Sequence, residues 1–130
     1  MRLKGPDPIR MTATGELRIK LQIMCGDEIA MGPGKADLLE AIIAEGSISA
    51  AARKLGMSYR RAWMLVDVMN RCWRTALVET GGGGRGAVVS GQGRAVLAHY
   101  RSLQQAASGL RRGADWQALE QGLRERPRRG

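Results

Sequence analysis

A mainly α fold with a small β component, a winged helix-turn-helix with an N-terminal hairpin and a long C-terminal dimerisation helix, is predicted by three features of this sequence. Two apolar-striped segments, 48–55 and 59–74, flank a tight turn at Gly56-Met57-Ser58. Two β-rich runs, 77–80 and 87–89, bracket a glycine-rich loop. A further helical pattern opens at Ser90. Helix, short helix, glycine turn, longer helix, hairpin and helix, in that order, make the winged form of the motif.

Each element has a local reason. Residues 1–14 lack any periodicity and read as a flexible N-terminal arm. From Leu17 to Ile23 apolar and polar residues alternate, the period of a half-buried strand. Gly26-Asp27 is a two-residue hairpin turn, with a return strand through Ile29 to Met31. Gly32-Pro33-Gly34 breaks that pattern, and a first helix runs from about Lys35 to Glu45. Leu38, Leu39, Ile42 and Ile43 form its apolar face, and Gly46 stands just past its end.

Ser47 caps a second helix whose Ile48, Ala51, Ala52 and Leu55 recur at the spacing of a packed face. Gly56 ends it. Ser58 caps the third helix, about Tyr59 to Arg74, with Ala62, Leu65, Val66, Met69 and Trp73 inward and Arg60, Met64, Asp67, Arg71 and Arg74 opposite. After the hairpin, Val96, Tyr100, Leu103, Ala107 and Leu110 follow in steps of four and three. That narrow seam is the pattern of helix pairing, and these five are the expected dimer interface. The alternating strand Leu17–Ile23 is the second choice of interface. A short helix, Asp115 to about Arg124, precedes a basic tail. The expected organisation is an arm over 1–14, a winged helix-turn-helix domain with its dimerisation helix over 15–110, and a short helix with tail over 111–130.

Length and composition are consistent with this. At 130 residues the chain is one domain, or one with an appendage. Phe is absent, so aliphatic residues and Met must fill the core. No apolar run approaches the ~18 residues of a membrane span, and the polar N-terminus lacks the centre of a secretory signal. Cys25 and Cys72 make no disulfide framework, so a reduced, cytoplasmic protein is expected.

The net charge of +9 is unevenly placed. Residues 1–52 carry six basic and seven acidic side chains, whereas 53–94 carry eight basic against two acidic. A basic middle is what a phosphate-facing surface produces, because each cation near a phosphate releases condensed counterions. A merely soluble basic surface has the same charge, so the helices must decide. In a helix-turn-helix the second helix crosses the DNA backbone and the next one projects its leading residues into the major groove.

Those leading residues are Ser58, Tyr59, Arg60 and Arg61. Arg can donate a bidentate pair to guanine, and the helix N-terminus can hold a phosphate through its amides. Ser47 and Arg53 on the crossing helix, with Gly84 and Arg85 at the wing tip, complete the expected contacts to double-stranded DNA. Asp67 bounds the footprint by repelling phosphates, or accepts from a cytosine N4. The loop 81–86 is no nucleotide cradle, since no Lys-Ser or Lys-Thr follows and the next element is a strand.

Chemistry of other kinds finds no support. His99 lies on a helix between Ala98 and Tyr100, the cysteines lack metal-ligand spacing, and no nucleophile–base pair is evident. Neither an enzyme, a metal nor a cofactor is expected.

The run Gly46 to Asn70, G-S-I-S-A-A-A-R-K-L-G-M-S-Y-R-R-A-W-M-L-V-D-V-M-N, resembles the N-terminal DNA-binding domain of the ModE family of molybdate-responsive regulators. Leu77-Val78-Glu79-Thr80 with the glycine-rich loop looks like that family's wing. LysR-type regulators share a weaker version over a shorter stretch. The resemblance, over roughly Leu17 to Leu110, implies a homodimer with an extended helical dimerisation surface on a pseudo-palindromic operator, in molybdenum metabolism. It places Ser58, Tyr59, Arg60 and Arg61 at the start of the recognition helix and Arg85 on the wing. The wing exit departs from the family's Leu-Thr-Pro-like pattern, reading Val89-Ser90-Gly91, though Ser90 still supplies a cap. Full-length relatives carry C-terminal oxyanion-binding domains that nothing here resembles, so molybdate binding falls outside what the likeness implies. Two other readings stay open: a non-specific nucleoid-associated protein, and a winged-helix protein-interaction adaptor.

Overall fold

The computed structural model describes residues 15–81 and 86–129. The arm expected over 1–14 lies outside them. The described residues fall into two compact units, 20–105 and 15–19 with 106–129, where the sequence suggested breaks at 15 and 110. The larger unit is mainly α with small β, a winged helix.

It opens with a hairpin of β1 (Ile23–Cys25) and β2 (Glu28–Met31), in which Cys25 pairs with Glu28 across Gly26-Asp27. Gly26 has φ +59° and Asp27 a negative φ, as a type II′ turn requires. The predicted alternation is visible in burial: Leu17, Ile19, Leu21 and Ile23 are half-buried and their neighbours exposed. The ladder nevertheless covers only β1. Its partner runs out at Gly32-Pro33, and proline has no N–H to give. A register shift leaves Ala30 as an extra residue in β2, and its carbonyl accepts the Trp73 indole N–H at 3.0 Å.

The strand pattern stops before Gly32-Pro33-Gly34 as expected, and helix α1 (Pro33–Glu45) starts two residues ahead of the expected Lys35, because the proline's locked φ suits the first helical position. Leu38, Leu39 and Ile42 are buried, but Ile43, expected beside them, is 36% exposed. Gly46, φ +83°, closes the helix with its N–H on Ile42 O. Helix α2 (Ile48–Leu55) is capped by Ser47, whose oxygen accepts from Ala50 N at 3.1 Å. Gly56 ends it at φ +71°. Ala51 and Ala52 are fully covered where α2 meets its neighbours.

Helix α3 (Tyr59–Cys72) buries Ala62, Val66 and Met69 and ends two residues early, with Trp73 extended. Strands β3 (Val78–Thr80) and β4 (Ala87–Val89) form the wing, paired from Val78–Val89 to Thr80–Ala87. Ala87 N donates to Gly46 O at 2.9 Å, tying the wing to the end of α1.

Helix α4 (Gly91–Ser108) follows. Ser90 Oγ accepts from Gly93 N at 3.0 Å and donates to Ala76 O at 2.7 Å. Val96, Leu97 and Tyr100 face the core, which also holds Met31, Leu38, Leu39, Ile42, Val66, Met69 and Leu77. Each such large side chain contributes about 1.5–3 kcal/mol by leaving water. Tyr100 OH donates to Leu21 O at 2.8 Å, and burial pushes the phenol pKa up. Arg101 forks onto Glu40 at 3.0 Å and reaches Asp37 at 2.8 Å, fastening α4 to α1.

The smaller unit contains a 3₁₀ turn (Gly109–Arg112) and α5 (Ala114–Gln121), shorter than predicted. Arg111 Nε donates to Leu17 O at 3.0 Å. No described residue of this unit is fully buried. Among the described residues, no helix is long and apolar enough to cross a membrane.

Candidate nucleic-acid interface

The geometry of the interface begins with a cap. Ser58 Oγ accepts from Arg61 N at 3.0 Å, which fixes where α3 starts and so which side chains lead. Tyr59, Arg60 and Arg61 are all exposed. Neither guanidinium has a hydrogen bond or ion pair among the described residues. Arg61 lies near Lys35 on α1, whose pKa is lowered chiefly by burial and slightly by that arginine.

A concavity of about 450 Å³ runs between the start of α2, the first turns of α3 and the root of the wing. Ser47, Ile48 and Ser49 line one side, Tyr59 and Trp63 the second, and Thr80, Gly81, Gly86 and Ala87 the third. Trp63 was missed in the sequence reading. It stands one helical turn beyond Tyr59 and is 42% exposed. The available signal was a large aromatic lying off the Ala62–Val66–Met69 stripe, a position that burial does not explain.

The remaining expected contacts are distributed as follows. Ser47 and Ser58 spend their oxygens on helix caps, and Ser47 also lies 3.5 Å from Ser49 Oγ. Arg53 on α2 is exposed, beside Lys54, which reaches Glu45 at 3.4 Å. Asp67 accepts from Arg71 Nε at 3.0 Å, and this bond raises the Arg71 pKa. The carboxylate that bounds the basic face is therefore engaged. Gly84 and Arg85 lie outside the described residues.

The expected pairing seam does not survive as one exposed row. Val96 is 7% and Tyr100 1% exposed, both spent on the chain's own core. Leu103 and Leu110 are 49% and 61% exposed, and Ala107 is intermediate. Spacing in steps of four and three identifies an apolar stripe but not which chain covers it. His99 is exposed, and among the described residues no group of three or more His, Cys, Asp or Glu side chains could hold a metal ion.

No protein-family model matches the chain. Curated proteins do. A molybdenum transport protein ModE of Azotobacter vinelandii is 40% identical over 98 residues, 72% of this chain and 36% of the relative. A DNA-binding transcriptional dual regulator ModE of Escherichia coli K12 is 38% identical over 92 residues, 68% of this chain and 34% of the relative. This chain is related to the ModE proteins. A molybdenum-pterin-binding protein MopB of Rhodobacter capsulatus is also similar, 39% identical over 83 residues, 62% of this chain and 31% of the relative. The chain spans about a third of the length of these ModE and Mop relatives. Their names concern transport, pterin binding and regulation, and none names an enzyme.

Proposed function

We propose that this chain is a ModE-type, sequence-specific DNA-binding transcriptional regulator that acts as a homodimer on a pseudo-palindromic operator in molybdenum metabolism. The observation that carries the reading is the leading end of α3, where Arg60 and Arg61 stand exposed beside Tyr59 and Trp63, their guanidinium groups without a partner among the described residues. Two free guanidinium groups at that end of a helix-turn-helix suit guanine O6 and N7, and each good pair discriminates by about 1–3 kcal/mol. Arg53 and the amides at the start of α2 and α3 serve the phosphates. Gly84 and Arg85 enter on sequence alone, as the wing's contact to the backbone. For pairing of two copies, Leu103 and Leu110 are the members of the expected seam that stay exposed. In the dimer the two recognition helices sit about 34 Å apart, or a multiple of it.

The test is selection of bound duplexes from a random pool at fixed salt, for the native chain and for Arg60→Ala and Arg61→Ala. The native chain should enrich a two-fold symmetric motif, and each variant should lose preference at one position of each half-site, by roughly 10-fold. No enriched motif, with binding that depends only on salt, would replace this reading with the nucleoid-associated one. No binding at all would leave the adaptor.

A further inference from the structure

The leading end of α3 carries apolar surface that the chain's own core does not use. Tyr59, Trp63 and Met64 are 53%, 42% and 59% exposed, three large side chains within six positions. Tyr59 and Trp63 line the concavity beside the wing root, and Met64 does not. Nor does Met64 belong to the core or to the residues packed against it, although its neighbour Leu65 does. By helical spacing it shares a face with Arg60, four residues earlier, and Asp67, three residues later. Asp67 is bonded to Arg71, whereas the Arg60 guanidinium has no partner among the described residues. Met64 is thus an apolar group in a charged row, between a free cation and a neutralised pair. A single exposed apolar side chain needs no explanation, but a cluster rimmed by charge marks a contact surface.

We infer that Met64 is a specificity-determining residue that packs on the C5-methyl group of a thymine in the major groove. The inference rests on the proposed reading of duplex DNA by α3 and adds a base that the arginines do not take. Guanine offers its two acceptors to an arginine, and the apolar group that base pairs present in that groove is the thymine methyl. An unbranched thioether side chain adapts its shape to such a methyl and leaves no strong donor or acceptor unmet there. The Asp67 carboxylate does not compete for this position, since Arg71 holds it. Four residues of helix rise about 6 Å. Base pairs stack about 3.4 Å apart. The thymine therefore lies one or two pairs from the guanine that Arg60 reads.

Duplexes are selected at fixed salt from a random, unmethylated pool, in which thymine alone supplies a C5-methyl. The enriched duplex is then remade with deoxyuridine in place of each thymine in turn. Uracil keeps the base pair and the O4 acceptor and lacks the methyl. The native chain should enrich thymine one or two pairs from guanine in each half-site. Uracil at that place should weaken its binding roughly 4-fold per half-site, the loss of one buried methyl. Met64→Ala should bind the thymine and uracil duplexes equally, and Met64→Leu should restore most of the difference. Both variants should keep the native Tm, because the residue is exposed. A merely structural role would leave the thymine-to-uracil ratio unmoved. An enriched motif whose thymines all tolerate uracil, or a uracil penalty that persists in Met64→Ala, would overturn this inference and leave the regulator reading standing. No enriched motif would overturn both.

Discussion

The two ends of α3 are built on opposite principles. Over its first turns Tyr59, Arg60, Arg61, Trp63 and Met64 are exposed, and the helix is held there by the Ser58 cap. Over its last turns nearly every polar side chain is committed. Asn70 accepts from Leu77 N at 2.9 Å and Val78 N at 3.1 Å and donates to Val78 O at 3.0 Å. Arg71 is paired with Asp67 and the Trp73 indole with Ala30 O. On the proposed function, the difference separates stability from recognition. A surface that must bind keeps its donors unspent, and it can do so only if the rigid part of the same element is fully satisfied elsewhere. Substitutions at the trailing end and around the wing root should lower stability. Those at the leading end should leave stability within about 0.5 kcal/mol and change only what is bound.

The largest effect is expected at Gly93, in the first turn of α4. A Cβ there would meet Leu77 O at 2.4 Å and Val89 Cγ1 at 2.7 Å. The first of these is backbone, which cannot swing aside. Gly93→Ala should destabilise by about 3 kcal/mol, a Tm fall of roughly 10–20 °C by thermal melting. A melt unchanged from the native chain would mean that α4 slides freely over the wing root, and the rigid half of the comparison would be lost.

Next comes Asn70. Asn70→Ala removes the acceptor for two amides next to fully buried side chains, Leu77 and Val78, and the donor to one carbonyl. Leaving such groups unmet costs about 1–3 kcal/mol, measurable as a lower urea midpoint with an unchanged slope. Asn70→Asp restores the acceptor and should recover part of the loss. Equal losses for both variants would place the effect in side-chain packing.

The contrast between the ends also marks what the sequence could disclose. The boundaries of α2 and the start of α3 were legible because their causes are local: Ser47, Gly56 and Ser58 each act within three residues. The exposed Arg60-Arg61 pair followed from the same cap. Legibility stopped wherever the partner is distant. Asn70 and Gly93 read as ordinary helix residues, since what gives them a role is a strand several residues away. The β1 ladder was overestimated because its length depends on where β2 ends. Val96 and Tyr100 were assigned to a partner chain because periodicity reports an apolar face without saying what packs on it.

The smallest effect, on the boundary between the two ends, decides what Asp67 does. Its carboxylate holds Arg71, and both side chains are about half exposed. Asp67→Asn removes one negative charge from the basic face and releases the Arg71 guanidinium. Stability should hardly move, since exposed pairs on a helix contribute little. If Asp67 only bounds the footprint, every duplex should bind more tightly. The slope of log affinity against log salt should then steepen by about 1, as one more cation meets a phosphate. If Asp67 instead accepts from a cytosine N4, the variant should lose preference at a single base position, with the slope unchanged. A titration of specific and random duplexes over a range of salt separates these outcomes. The bound Arg71 favours the first, because a carboxylate already taken by a neighbouring cation is a poor acceptor for a base.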